Sequence, residues 1–129
     1  MKRNLILIAM AAIVCLFAAC TPQSTPKQVV KTYWTAFQNE KYSEAVNLYY
    51  NIDELFSEDD KAFLVILMKL EMEEYGKITN VKILSVEKGE DPNHAAVEVE
   101  LTTENLPAPK VMTMDVVKVN GKWYIDFSI

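Results

Sequence analysis

At Gly76 the chain changes its hydrophobic period, and this change limits what it can fold into more than any other feature. Before it, Val29, Val30, Tyr33, Trp34 and Phe37 recur at helical spacing and form one apolar stripe. After it, Ala95, Val97, Val99 and Leu101 alternate with Ala96, Glu98, Glu100 and Thr102. The first pattern buries one side of a helix, and the second buries one face of a sheet. Helices followed by strands make an α+β domain, with the helices against one face of an antiparallel sheet. A length of 129 residues leaves room for a single such domain.

Local signals set the expected boundaries. Thr25-Pro26-Lys27-Gln28 reads as a helix start: Thr25 caps, Pro26 suits the first turn, and Gln28 stands where a capping box closes. Asn39-Glu40-Lys41 interrupts the stripe. A second helix is expected from about Tyr42 to Tyr50, with Ala45, Val46 and Tyr49 inward. Ser57 opens a third, with Glu58, Asp59 and Asp60 where the helix dipole favours negative charge, and Gly76 ends it. Phe63 to Met68 is an unbroken apolar run, joined by Leu70 and Met72, so this helix is expected to be covered on more than one side. Strands are predicted over 78–88, from Ala95 to Leu101, and over 111–119 and 122–129, with loops at 90–93 and 104–110. Asn120-Gly121 favours a two-residue type I′ hairpin. That turn pairs 119 with 122 and, stepwise, 112 with 129. It puts Met112, Met114, Val116, Trp123, Ile125, Phe127 and Ile129 on the buried face, and Thr113, Asp115, Val117, Val119, Lys122, Tyr124, Asp126 and Ser128 on the other.

The first segment stands apart from the domain. Lys2 and Arg3 precede an uncharged apolar run of 15 residues, Leu5 to Ala19. This is the layout of a secretory signal, and it falls short of the roughly 20 residues that span a bilayer. Its end, Phe17-Ala18-Ala19-Cys20, resembles the bacterial lipobox, with Phe17 in the place where Leu is usual. The resemblance implies cleavage before Cys20 and lipidation of its thiol, which explains why the processed chain keeps one cysteine after Cys15 has left. Residues 1–19 are thus expected to be a signal peptide, 20–25 a lipid-anchored tether and 26–129 the domain. Loss of Lys2 and Arg3 takes the formal net charge from −5 to −7. That acidity excludes nucleic acid as a partner and gives no electrostatic hold on anionic lipids, which leaves attachment to the acyl chains. Thr21 stands where an Asp commonly retains such lipoproteins in an inner membrane, which points to the outer membrane, facing the periplasm.

The opening helix Val29-Val30-Lys31-Thr32-Tyr33-Trp34-Thr35-Ala36-Phe37, the turn and short helix Lys41-Tyr42-Ser43-Glu44-Ala45-Val46, and the terminal Asn120-Gly121-Lys122-Trp123-Tyr124-Ile125 together resemble the nuclear-transport-factor-2-like superfamily, also described as a cystatin-like cone. The likeness spans about 26–129 and is nearest to small bacterial lipoproteins of no assigned activity. It implies a curved sheet of about four strands holding the helices in its concave face, often with a pocket between them. The superfamily includes isomerases and dehydratases as well as non-enzymatic binding domains, so the fold does not choose between them.

No catalytic constellation stands out, since the inward hairpin positions carry no acid or base. Tyr33, Trp34, Phe37, Met68, Met72, Met112, Met114 and Trp123 are the candidate lining of an adaptable apolar pocket. Asp115 and Asp126 face each other across the hairpin, where like charges repel and a cation or ligand amine would relieve them. His94, the sole histidine, lies at a turn and lacks companions for a metal site. No cofactor or metal is expected. Tyr33, Tyr49 and Tyr124 are alternatives for a homodimer face on the sheet. The sequence points to a membrane-anchored, non-enzymatic binding or interaction module for a small apolar ligand or a protein partner. The alternatives are a small isomerase, dehydratase or hydrolase, and a structural subunit of an envelope complex.

Overall fold

The computed structural model describes residues 22–127. The signal segment, Cys20, Ser128 and Ile129 lie outside the described residues. Among the described residues four helices come first: α1 (Pro26–Gln38), α2 (Tyr42–Val46), α3 (Ile52–Leu55) and α4 (Glu58–Tyr75). Four strands follow: β1 (Ile78–Lys88), β2 (His94–Thr103), β3 (Lys110–Val119) and β4 (Lys122–Ile125). They form one antiparallel sheet in the order β1-β2-β3-β4, so every strand pairs with its neighbour in sequence.

α1 starts where the sequence says. The Thr25 hydroxyl accepts from the Gln28 backbone N–H at 3.1 Å. The stripe of Val29, Val30, Tyr33, Trp34 and Phe37 is buried against the sheet, where it meets Ala95, Val97, Val99, Leu101, Val116, Trp123 and Ile125. Trp34 Nε1 donates to Met114 Sδ at 3.0 Å, tying the helix to β3.

The expected helix from Tyr42 to Tyr50 is shorter. It ends at Val46, and α3, which the sequence pattern did not reveal, follows a turn with Asn51 at φ 61°. The reason is competition for the backbone. Ile125 N–H donates to Leu48 O and Tyr50 N–H donates to Ile125 O, each at 2.8 Å, so residues 48–50 run beside β4 instead of continuing the helix. On the same free edge, Trp123 N–H donates to Gln23 O at 2.9 Å, and Gln23 Nε2 donates to Trp123 O at 3.1 Å. An open strand edge is a template for unwanted pairing; here it is covered by the chain's own residues. Gln23 is thereby fastened to the domain within the stretch read as a tether.

α4 is capped as expected. Ser57 Oγ accepts from the Asp60 N–H, and the Asp60 carboxylate accepts from the Ser57 N–H, both at 3.2 Å. Its burial differs from the expectation. Met68 is the one buried residue of this helix, while Phe63, Ile66, Leu67 and Leu70 are 46–60% exposed. Those four lie at i, i+3, i+4 and i+7 and form a largely exposed stripe, with Leu67 on its inner edge. The main backbone neighbour of α4 is α2, so it stands off the sheet and is not sandwiched.

The hairpin turns at Asn120 and Gly121 with φ of 52° and 80°, the type I′ geometry. The register is the expected one from 119↔122 to 116↔125, and Asp126 N–H donates to Asp115 O at 2.9 Å one step further. Val117, assigned from the sequence to the outer face, is nevertheless buried. Lys110, assigned to a loop, is the first residue of β3.

Candidate functional site

Because α4 stands away from the sheet, a cavity of about 310 Å³ opens between α1, α4 and the inner face of the strands. α4 contributes Leu64, Leu67, Met68, Glu71, Met72 and Tyr75, one side of the helix over three turns. α1 contributes Tyr33, Trp34 and Phe37. The sheet supplies Ile78, Leu101, Thr103, Lys110 and Met112, and Tyr49 and Leu106 complete the wall.

One end of this cavity is built by the stop after α4. Gly76 has φ 77°, and a Cβ there would come within 3.0 Å of the Asn105 side chain. Asn105 Nδ2 donates to Glu74 O, and Asn105 N–H donates to Tyr75 O, both at 3.1 Å. These bonds satisfy carbonyls that a helix end leaves unpaired, and they hold the 104–106 loop against Tyr75. Leu101, Thr103 and Lys110 gather there. Lys110 Nζ sits 5.0 Å from the centre of the Tyr75 ring, a cation–π placement.

Few polar groups face this space. The Tyr33 and Tyr49 hydroxyls are 2.5 Å apart. Burial raises the pKa of both phenols, and the Glu71 charge adds to the effect, so both stay protonated at neutral pH and act as hydrogen-bonding groups, not bases. Thr103 is 8% exposed, and among the described residues its hydroxyl has no hydrogen-bond partner. An unsatisfied buried hydroxyl costs about 1–3 kcal/mol, which makes its position on the cavity wall notable.

Of the lining residues chosen from the sequence, Tyr33, Trp34, Phe37, Met68, Met72 and Met112 meet at this cavity. Met114 and Trp123 do not: Met114 is turned to the Trp34 indole, and Trp123 is core beneath α1. Thr103, Tyr75 and Lys110 were missed because they stand at the ends of elements, where periodicity is silent, and Glu71 because a charged residue inside a helix reads as solvent-facing. Tyr33 is buried and so withdrawn from any dimer face, and Tyr49 is half-buried beside it. Tyr124 lies beside Tyr50 on the opposite face of the sheet.

Asp115 and Asp126 do lie side by side, on a shallow outer depression with Glu87, Lys88, Glu90 and His94. Asp115 is exposed and Asp126 half-buried, so water screens their repulsion. His94 Nε2 is 3.7 Å from the Asp91 carboxylate, and both side chains are about half exposed. Among the described residues no group of three His, Cys, Asp or Glu is placed to hold a metal ion.

No protein-family model matches the chain, and no curated protein matches its sequence. Two solved structures share its architecture. A crystal structure from Campylobacter jejuni, described as that of a candidate NTF2-like transpeptidase, superposes with a TM-score of 0.59 at 16% identity, covering 81% of this chain and 100% of that one. The solution structure of a SEC-C-motif-containing protein from Rhodopseudomonas palustris superposes with a TM-score of 0.62 at 16% identity, covering 86% of this chain and 82% of that one. At such identity the likeness concerns the fold. The helices and the curved antiparallel sheet have the nuclear-transport-factor-2-like arrangement.

Proposed function

We propose that this domain is a non-enzymatic binding module, held on a bacterial membrane by lipid on Cys20, and that it takes a small apolar molecule into the cavity beneath α4. The observation that carries the reading is the cavity itself: about 310 Å³, walled by aromatic, Met and Leu side chains with a few convergent polar groups. That is the usual make-up of a small-molecule site. Thioethers at Met68, Met72 and Met112 let the wall repack around different shapes. The basic start, the apolar run and Phe17-Ala18-Ala19-Cys20 support the anchor.

Two experiments test the two halves. The neutral fluorophore N-phenyl-1-naphthylamine is expected to bind the full chain with enhanced emission, and Leu67→Trp, which fills the mouth, is expected to weaken it at least about tenfold. Unchanged binding in that variant would remove the cavity from the account. For the anchor, the intact mass of membrane-extracted protein should begin at Cys20 and include acyl groups, all lost in Cys20→Ser. An unprocessed or unlipidated chain would refute it.

The Tyr33–Tyr49 hydroxyl pair favours a second reading, a small isomerase- or dehydratase-type enzyme in which protonated phenols donate to a developing negative charge. Chemical conversion of a bound ligand by the native chain, lost in Tyr33→Phe, would establish it. The exposed α4 stripe favours a third, a subunit of an envelope complex.

A further inference from the structure

The cavity is not uniform from end to end. From Leu64 to Tyr75, α4 rises about 16 Å along its axis, and the character of the wall changes on the way. Leu64, Leu67, Met68 and Met72 offer only apolar surface. At the Tyr75 end stand two hydrogen-bond donors with no protein acceptor among the described residues, one buried and one exposed. The Thr103 hydroxyl is buried and orphaned. The Lys110 ammonium rests over the Tyr75 ring, and among the described residues it makes no ion pair.

The register brings these two groups together. Lys110 pairs with Leu101, and Thr103 is the next residue of β2 on the same inward face. The two are therefore diagonal neighbours across the β2–β3 ladder, with backbones about 7–8 Å apart, within reach of a long side chain. An oxygen between them would accept from both. Glu71, the one acid on the wall among the described residues, lies a helical turn before Tyr75, and its charge bears on the Tyr33 and Tyr49 hydroxyls.

We infer that the cavity's ligand is an amphiphile with an anionic carboxylate head, held by Thr103 and Lys110, and a medium-length apolar body lying along α4. The inference rests on the cavity being a ligand site, as proposed above. A carboxylate is an acceptor-only group with two oxygens, so it satisfies both donors at once. A neutral alcohol would satisfy Thr103 but gain nothing from the charge of the ammonium. A cationic head would meet Lys110 with repulsion. The volume of about 310 Å³ sets the size. At ~30 Å³ for each water displaced, it corresponds to the space of about ten waters, the scale of a medium-length chain.

The test uses the full chain loaded with N-phenyl-1-naphthylamine, displaced in parallel by decanoate, 1-decanol and decyltrimethylammonium. Decanoate is expected to displace the probe at about tenfold lower concentration than 1-decanol, and the cation least well. Thr103→Val and Lys110→Gln are each expected to shrink that preference to about threefold or less. Both should fold, since the first is isosteric and the second is at an exposed position. In the native chain, decanoate binding should weaken as salt rises while 1-decanol binding stays constant. If 1-decanol or the cation matches decanoate, or if the preference survives in both variants, the head-group assignment is wrong while the cavity stands. If no probe or competitor binds, the cavity reading falls and this inference with it.

Discussion

Tyr33 Oη lies 2.5 Å from Tyr49 Oη, joining α1 to the segment that runs beside β4. The two rings meet edge to face with centroids 5.5 Å apart. The pair closes the helical side of the cavity and couples its wall to the end of the sheet. Removing either hydroxyl should cost about 0.5–1.5 kcal/mol.

The same pair makes stability depend on alkaline pH. Burial lifts both phenols above their ordinary value of 10.0. The unfolded chain releases these protons as the pH passes about 10, whereas the folded protein retains them. Their contribution is therefore fully present below that pH and is lost progressively above it. Urea midpoints followed from about pH 9 to pH 11 should fall in the native chain, and fall less in Tyr33→Phe/Tyr49→Phe.

Thr103→Val should stabilise the ligand-free protein. The change keeps the shape of the side chain and removes a buried hydroxyl that has no partner. A gain of about 1 kcal/mol is expected, read as a higher thermal midpoint. A loss of stability would mean that the hydroxyl is satisfied in solution. Groups placed for a ligand commonly reduce stability in this way.

α4 depends on its ends more than a well-buried helix would. Met68 is its one buried side chain, with Leu64, Val65 and Met72 half-buried against the core, so capping adds appreciably to what holds it. Ser57→Ala breaks the reciprocal bonds with Asp60 and should cost about 1 kcal/mol. Amide hydrogen exchange should then quicken along α4 before it changes in β2 or β3.

How far the sequence reached follows from where its signals lie. Thr25, Ser57, Gly76 and Asn120-Gly121 act through local backbone chemistry, and each produced the boundary it announced. Alternation in β2 identified the inward residues because each strand side chain has only two faces to choose from. The helix expected to reach Tyr50 stopped at Val46 because β4, distant in sequence, claims the backbone of residues 48–50. The apolar run from Phe63 to Met68 implied heavy cover for α4, but hydrophobicity says nothing about whether a partner element exists to supply it. The aromatic and Met part of the cavity was legible for the same reason as the core, since both are inward apolar surface. Its polar end was not, because Tyr75 is brought to Lys110 and the end of β2 only through the Gly76 turn and the 104–106 loop.

Methionine methyl groups report directly on whether a ligand enters the space beneath α4. In the full chain with ¹³C-methyl methionine, Met68, Met72 and Met112 line the cavity, while Met114 lies behind the wall, on the Trp34 indole. Titration with N-phenyl-1-naphthylamine should shift the first three resonances in step and leave Met114 nearly still. Shifts confined to Met114, or no shift at saturating probe, would contradict the account.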